Sequence, residues 1–227
     1  MKELLQIIRA YQDSPAPAAL ATVVRKTGSS YRRTGARMLV LSEQKTFGCI
    51  SGGCLDRDVI LHALKVIHNR TPAFLSYDTS TEHDVILGVG PGCSGTIEIL
   101  VEFLSPHQPG KRSNSNVLDF LANLFQHGGT GAIATVIKTE GDIGLVMGDR
   151  AMVDNFSQPK SALTGGHISD ELLKICSVRP RHGEIRAQFP EINAWIRSDL
   201  FRDIPSAKPS GHIWRRPGCG LTDNVRP

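Results

Sequence analysis

Three short stretches of this chain concentrate residue types that hold anions and soft metals. Residues 28–37 read Gly-Ser-Ser-Tyr-Arg-Arg-Thr-Gly-Ala-Arg, with three arginines in ten positions. Guanidinium forks bind oxyanions bidentately, and glycines let backbone N–H groups come close. Ser29, Ser30, Arg32, Arg33 and Arg37 are therefore candidate contacts for a phosphate. A solvated basic turn would have the same composition.

Residues 48–58 read Gly-Cys-Ile-Ser-Gly-Gly-Cys-Leu-Asp-Arg-Asp. A glycine pair before a helix leaves first-turn N–H groups, and the positive end of the helix dipole, open to an anion. Ser51, Gly52, Gly53 and Cys54 are the candidates here. A thiol at a helix start is biased toward thiolate where the sulfur is exposed. The alternative is that Cys54 packs as a small hydrophobe and Asp56 caps the helix.

Residues 88–95 read Gly-Val-Gly-Pro-Gly-Cys-Ser-Gly, four glycines in eight positions. The Gly-x-Gly pair lacks the third glycine and the following helix of a dinucleotide fingerprint, so a Rossmann loop is rejected for this segment. What remains is a backbone cradle through Gly90 and Gly92 with Cys93 at its rim. Three such loops together are harder to explain by packing than any one alone.

Other candidates are weaker. His83 next to Asp84 could act as a base or ligand, but such loop pairs are mostly solvated. His62 and His68 lack a second ligand on the same helical face, and Cys49 and Cys176 read as core. Residues 165–167 (Gly-Gly-His) precede a helix for which Ser169 reads as a simple N-cap.

The elements that must position these loops follow from periodicity. Leu4, Leu5, Ile7, Ile8 and Tyr11 recur at helical spacing before Pro15 and Pro17. Residues 18–24 and 36–41 read as strands around the arginine loop, and a third strand over 47–50 runs into the glycine pair. From Asp56 a helix buries Val59, Ile60, Ala63, Leu64 and Ile67. Strands follow over 73–77 and 96–104, the second alternating Ile97, Ile99 and Val101 against Glu98 and Glu102. Residues 106–116 are polar and rich in turn formers, a linker or surface loop. Beyond them come a helix over 117–125, strands over 132–138 and 143–147, and a helix over 168–176.

The expected fold is therefore α/β, a mixed sheet with flanking helices in a single main domain. Its parts are a core over residues 1–105 carrying the loops, the linker 106–116, a second α/β block over 117–204 packing on that core, and an unstructured tail over 205–227.

The chain has 227 residues, 40% of them hydrophobic, enough for one respectable core. A formal charge of +4 without a block of five like charges gives no nucleic-acid footprint. Five cysteines without a C-x-x-C or C-x-x-H spacing argue against a disulfide framework and a zinc ribbon. The N-terminus does not read as a signal peptide and no run approaches 18 apolar residues, so a cytoplasmic, membrane-free protein is expected.

In order and spacing the three loops resemble the xanthine dehydrogenase accessory factor family, XdhC/CoxI. That family's segments look like G-S-S-x-R-x-x-G-A-R-M, I-S-G-G-C-L-E and G-x-G-C-G-G, matched here by residues 28–38, 50–56 and 88–95. Asp56 stands for the more usual Glu, and the third segment is a looser form, which weakens the case for Cys93 relative to Cys54. The resemblance implies a protein, without turnover of its own, that binds molybdenum cofactor (molybdopterin) as cargo. It would shield the cofactor during sulfuration by a cysteine desulfurase and insert it into a molybdenum hydroxylase subunit. On that view the arginine loop and glycine turn would hold the molybdopterin phosphate, with Cys54 and Cys93 as molybdenum-proximal thiols.

Family members usually continue into a Rossmann domain opening with a segment like I-F-G-A-G, which this sequence lacks. Residues 211–216, back-translated and read one nucleotide later, permit those five residues, so the tail is expected to be a frameshifted start of that domain. A truncated two-domain protein would expose apolar surface, which points to a homodimer. The alternatives are a phosphate- or nucleotide-handling enzyme, a thiol redox sensor and an inactive truncated remnant.

Overall fold

The computed structural model describes residues 2–28, 32–53, 55–78, 95–108, 116–127, 129–140, 147–154, 160–161, 183–189 and 192–204. Helix α1 (Lys2–Gln12) is followed by strands β1 (Ala18–Lys26), β2 (Arg37–Leu41) and β3 (Thr46–Gly48), then helix α2 (Asp56–Asn69) and strands β4 (Ala73–Asp78) and β5 (Thr96–Leu104). These five strands form one sheet in the order β3-β2-β1-β5-β4. Helix α3 (Val117–His127) leads into a second five-stranded sheet ordered β8-β7-β6-β10-β9. Its strands are β6 (Gly129–Glu140), β7 (Arg150–Asp154), β8 (Lys160–Ser161), β9 (Gly183–Phe189) and β10 (Ile192–Ile204).

The α/β class with flanking helices holds. Where a mixed sheet is expected, every ladder among the described strands is antiparallel. No β-α-β crossover joins sequential neighbours side by side, and the β1–β2, β2–β3 and β4–β5 pairs are consecutive in the chain, as antiparallel pairing favours.

Strand β1 is the centre of the first sheet, and its continuous apolar run is explained by helices on both faces. Ala18 and Leu20 point to one side with Leu39, Leu41 and Leu104, where they meet Ile7, Ile8 and Tyr11 of α1 and Leu118, Leu121 and Leu124 of α3. Ala19, Ala21 and Val23 point to the other with Met38, Val40, Ile97, Ile99 and Val101, beneath Val59, Ala63 and Val66 of α2. The α1–α3 layer also takes in Ile133 of β6 and Met152 of β7, so it seats the second sheet too. At Gly131 of β6 an added Cβ would lie 2.5 Å from Leu124 Cδ1, so a larger residue there would require the Leu124 side chain to move. Val24, Leu100 and Ile137, with Met147, close the contact between the sheets.

The register decides where the loops go. Lys26 at the end of β1 pairs with Ile97 near the start of β5, and Thr22 pairs with Arg37 at the start of β2. Gly48 at the end of β3 pairs with Met38, and Asp78 at the end of β4 pairs with Thr96. The segments 27–36, 49–55 and 79–95 therefore all leave the same end of the first sheet.

Candidate functional site

Side-chain bonds join the first two segments through a helix remote in sequence. Glu3, in the first turn of α1, accepts from Arg32 Nη2 at 2.5 Å and from the N–H of Cys49 at 3.2 Å, both on Oε1. Arg32 holds its proton more firmly than usual, first through the Glu3 hydrogen bond, with nearby Cys49 and Asp56 acting in the same sense and partial burial opposing. The arginine loop and the glycine turn thus meet at one carboxylate, that of Glu3.

The start of β5 is tied to the end of β1. Thr27 N–H donates to Thr96 O at 2.9 Å, and Thr96 N–H donates to Thr27 Oγ1 at 3.2 Å. Gly95 lies so close to this strand end that an added Cβ would be 1.9 Å from Thr27 O.

The glycine turn is held from the helix that follows it. Asp56 Oδ1 accepts from the N–H of Ile50 (3.2 Å), the N–H of Ser51 (2.9 Å) and Ser51 Oγ (3.0 Å). Ser51 Oγ in turn accepts from Leu55 N–H at 2.9 Å. Leu55 is the N-cap residue and makes no side-chain cap bond. Asp56 is therefore a staple for the preceding loop rather than a simple helix cap. Gly52 and Gly53 sit beyond the staple with φ of +84° and +126°, and a Cβ on either would meet nothing within 4 Å. Their positive φ, not crowding, requires glycine. No hydrogen bond to either N–H is present among the described residues.

Of the residues singled out from sequence, Arg32, Ser51, Gly52 and Gly53 come together at this end of the sheet. Arg33 beside them is exposed. Arg37 is buried: Nη1 donates to Gly35 O at 3.2 Å, and the side chain lines a small cavity between the sheets with Thr22, Glu102, Thr135 and Arg150. Its surroundings are structural, unlike those of Arg33. Ser51 is likewise 4% exposed, with both its N–H and its hydroxyl engaged by Asp56. Ser29, Ser30, Cys54, Gly90, Gly92 and Cys93 lie outside the described residues, as do His83, Asp84 and Cys176.

Cys49, read as core, is a free, half-buried thiol beside Arg32. Glu3, Thr27 and Thr96 carry no signal in the sequence because their bonds span 29 to 69 positions, and no local pattern announces them. Tyr77 is equally silent. Its hydroxyl donates to Asp58 Oδ2 at 2.6 Å, fastening β4 to the first turn of α2, with His62 Nε2 3.8 Å from the same oxygen. Burial, then the Asp58 contact, push the Tyr77 phenol well above its ordinary value.

At the opposite end of the sheet a cleft of about 550 Å³ lies between the second half of α1 and the β2–β3 turn, lined by Arg9, Asp13, Glu43, Lys45 and Phe47 among others. Its mixed charges and its distance along α1 from Glu3 separate it from the three loops. No cluster of three metal-ligating side chains occurs among the described residues, and no described helix is long and apolar enough to cross a membrane.

Parts of this chain resemble known proteins. Residues 12–78 match the XdhC and CoxI family, a span that contains the arginine loop and the glycine turn. The match takes in the first two of the three motif segments and ends before the third. It is 36% identical over 123 residues to a probable xanthine dehydrogenase subunit of Bacillus subtilis, an alignment covering 54% of this chain and 35% of that protein. It also resembles the crystal structure of a xanthine dehydrogenase from Bacillus halodurans, with a TM-score of 0.61 and 23% identity, over 89% of this chain and 53% of the other. That likeness establishes the fold. The chain spans about a third of the curated relative and about half of the solved structure.

Proposed function

We propose that this chain serves a xanthine dehydrogenase-type molybdenum hydroxylase as an accessory factor, binding molybdenum cofactor as cargo at the loop end of the first sheet and handing it over without turning it over. The observation that carries the reading is that β1, β3 and β4 end, and β2 and β5 begin, at one end of the sheet, where Arg32 and Cys49 are joined through Glu3. The family match over the first two segments supports it.

Molybdopterin ends in a phosphate, and the donors here suit one. Arg32 and Arg33 supply guanidinium groups, and at Gly52 and Gly53 the absence of a side chain leaves open space beside the backbone in which an anion could approach its N–H groups. Asp56 and Ser51 contribute by fixing the turn that presents those N–H groups. Ser29, Ser30, Gly90 and Gly92 are proposed as further cofactor contacts. Cys54 and Cys93 would place soft sulfur donors near the metal, chemistry that oxygen and nitrogen ligands do not supply. The cysteine desulfurase and hydroxylase partners, the homodimer and the cytoplasmic setting belong to this same proposal.

The test is anaerobic gel filtration of the chain with molybdenum cofactor, assaying molybdenum in the protein peak for the unmodified chain, Cys54→Ala and Cys93→Ala. Stoichiometric co-elution that one substitution abolishes is the expected result and names the sulfur ligand. A folded protein that retains no molybdenum would refute cofactor binding and turn attention to nucleotide turnover or thiol oxidation at the same loops.

A further inference from the structure

Glu3 occupies a position that an incoming anion would want. Its Oε1 accepts from a guanidinium, Arg32 Nη2, and from a backbone N–H, that of Cys49, which belong to two different loops. Its Oε2 contacts the same Nη2. A guanidinium paired with a backbone N–H is the donor set that recognises oxyanions. Here both donors are turned onto the protein's own carboxylate.

We infer that Arg32 and the Cys49 N–H form an oxyanion seat that Glu3 fills as an internal placeholder, and that a phosphate-class anion enters by displacing Glu3. The inference deepens the cofactor reading and rests on it for the identity of the natural ligand, although the seat itself does not depend on that identity.

Three observations make the exchange physically easy. The Arg32 and Glu3 side chains are 29% and 40% exposed, and solvent-reachable ion pairs contribute little to stability. A phosphate brings nearly two charges and three strong acceptor oxygens, against one charge and two oxygens on the carboxylate. Glu3 can leave without unseating its helix, because α1 is anchored further along by Ile7, Ile8 and Tyr11. Asp56, the other carboxylate acting on Arg32, is engaged by Ile50 and Ser51 and is no candidate for the same role. The Arg33 side chain is exposed, makes no hydrogen bond or ion pair among the described residues, and stands next in sequence to receive part of the anion's charge.

The experiment is a titration of the full chain with inorganic phosphate, followed by calorimetry at constant ionic strength, for the unmodified protein, Glu3→Gln, Arg32→Gln and the double variant. The seat predicts that Glu3→Gln binds phosphate at least about fivefold tighter and that Arg32→Gln abolishes the gain. A clamp that merely organises the loops would give the opposite sign, so a folded Glu3→Gln that binds phosphate no tighter than the unmodified chain overturns the inference. Should Glu3→Gln fail to fold, Glu3→Asp keeps the charge but withdraws it by one methylene, and unchanged phosphate affinity in that variant is equally fatal. Molybdenum co-elution is read on the same proteins. Cofactor retention with a phosphate response indifferent to Glu3 sinks the placeholder alone. Loss of cofactor binding with the Glu3 effect intact sinks the cofactor reading and leaves the seat standing.

Discussion

Asp56 and Ser51 are linked twice: one carboxylate oxygen of Asp56 accepts both the N–H of Ser51 at 2.9 Å and its hydroxyl at 3.0 Å. The first residue of α2 thereby fixes the turn from which that helix emerges. Hydrogen bonds to a charged acceptor contribute about 1.5–3 kcal/mol, so Asp56→Ala should destabilise the chain by about 2 kcal/mol. Asp56→Asn, which keeps one acceptor oxygen without the charge, should lie between the two. Urea denaturation of the three proteins measures this, and an Asp56→Ala midpoint equal to that of the unmodified chain would remove the staple from the account.

Gly52 and Gly53 allow stability and binding to be separated. No atom lies within 4 Å of an added Cβ at either, so Gly53→Ala meets only the strain of positive φ, about 1–2 kcal/mol. The methyl group would nonetheless enter the space assigned to the ligand. A folded Gly53→Ala with a modest fall in melting temperature and at least a tenfold loss of phosphate or molybdenum-cofactor binding is expected. Undiminished binding would mean that the ligand does not occupy the open space beside Gly53.

Gly95 is the contrasting case. An added Cβ would fall 1.9 Å from Thr27 O and 3.0 Å from Gly28 Cα, contacts that neither backbone can relieve without moving the start of β5 off the end of β1. Overpacking of this kind costs about 1–3 kcal/mol, and here a main-chain oxygen is involved, so the upper part of that range applies. Gly95→Ala should therefore lose stability more than Gly53→Ala does, in the same denaturation series.

Much of this fold is legible in sequence, and the exceptions share a cause. α1, β1, β2, α2, β4, β5 and α3 fall within a few residues of their expected bounds because each repeats its apolar residues at one period. β10 has no counterpart among the expected elements although it runs for 13 residues. Its ladder with β6 slips between Trp195 and Ile196 and again between Phe201 and Ile204, and such bulges break the two-residue alternation that marks a strand. β7 carries Arg150 and Asp154 at its ends and only three apolar residues between them, where β2 carries four in a row. The expected strand over 143–147 falls almost wholly outside the described residues, and its last residue, Met147, stands in a turn; the expected helix over 168–176 lies outside them altogether, as does the tail. Within the site, glycine and arginine content is local and readable, whereas the choice between Arg33 outside and Arg37 inside depends on where β2 begins and on the second sheet.

Tyr11 gives a pH signature far from the loops. Its hydroxyl donates to Ser105 O at 3.0 Å and accepts from Asn116 Nδ2 at 2.7 Å, fixing both ends of the 106–116 connection to α1. Burial, then the Asp119 carboxylate, push the phenol up to about 12, against the opposing bond from Asn116. Because the folded state holds this proton more tightly than an unfolded chain, whose tyrosine titrates near 10, the contribution is complete below about pH 10. It is lost as pH rises toward about 12. Tyr11→Phe should cost about 1–2 kcal/mol at neutral pH through the two lost bonds and should flatten the alkaline decline. Equal steepness above pH 10 in both proteins would assign the decline to other groups.

Glu102 and Arg150 test how the second sheet is seated on the first. Their ion pair spans β5 and β7 with side chains 13% and 8% exposed, and an added Cβ at Gly148 would lie 3.4 Å from the same Glu102 oxygen. Arg37 lines the adjoining cavity, so Glu102 is the carboxylate among two guanidinium groups lining that space. Breaking a buried pair by removing one partner typically costs about 3–5 kcal/mol, because the remaining charge is left in a poor solvent. Glu102→Gln strands Arg150 beside Arg37 and should fall in that range. Replacing both partners by apolar residues of similar volume is often neutral. Glu102→Leu with Arg150→Met should therefore recover most of the loss in equilibrium unfolding. If the double variant is as unstable as Glu102→Gln, the pair is not a self-contained unit and Arg37 must depend on Glu102 as well.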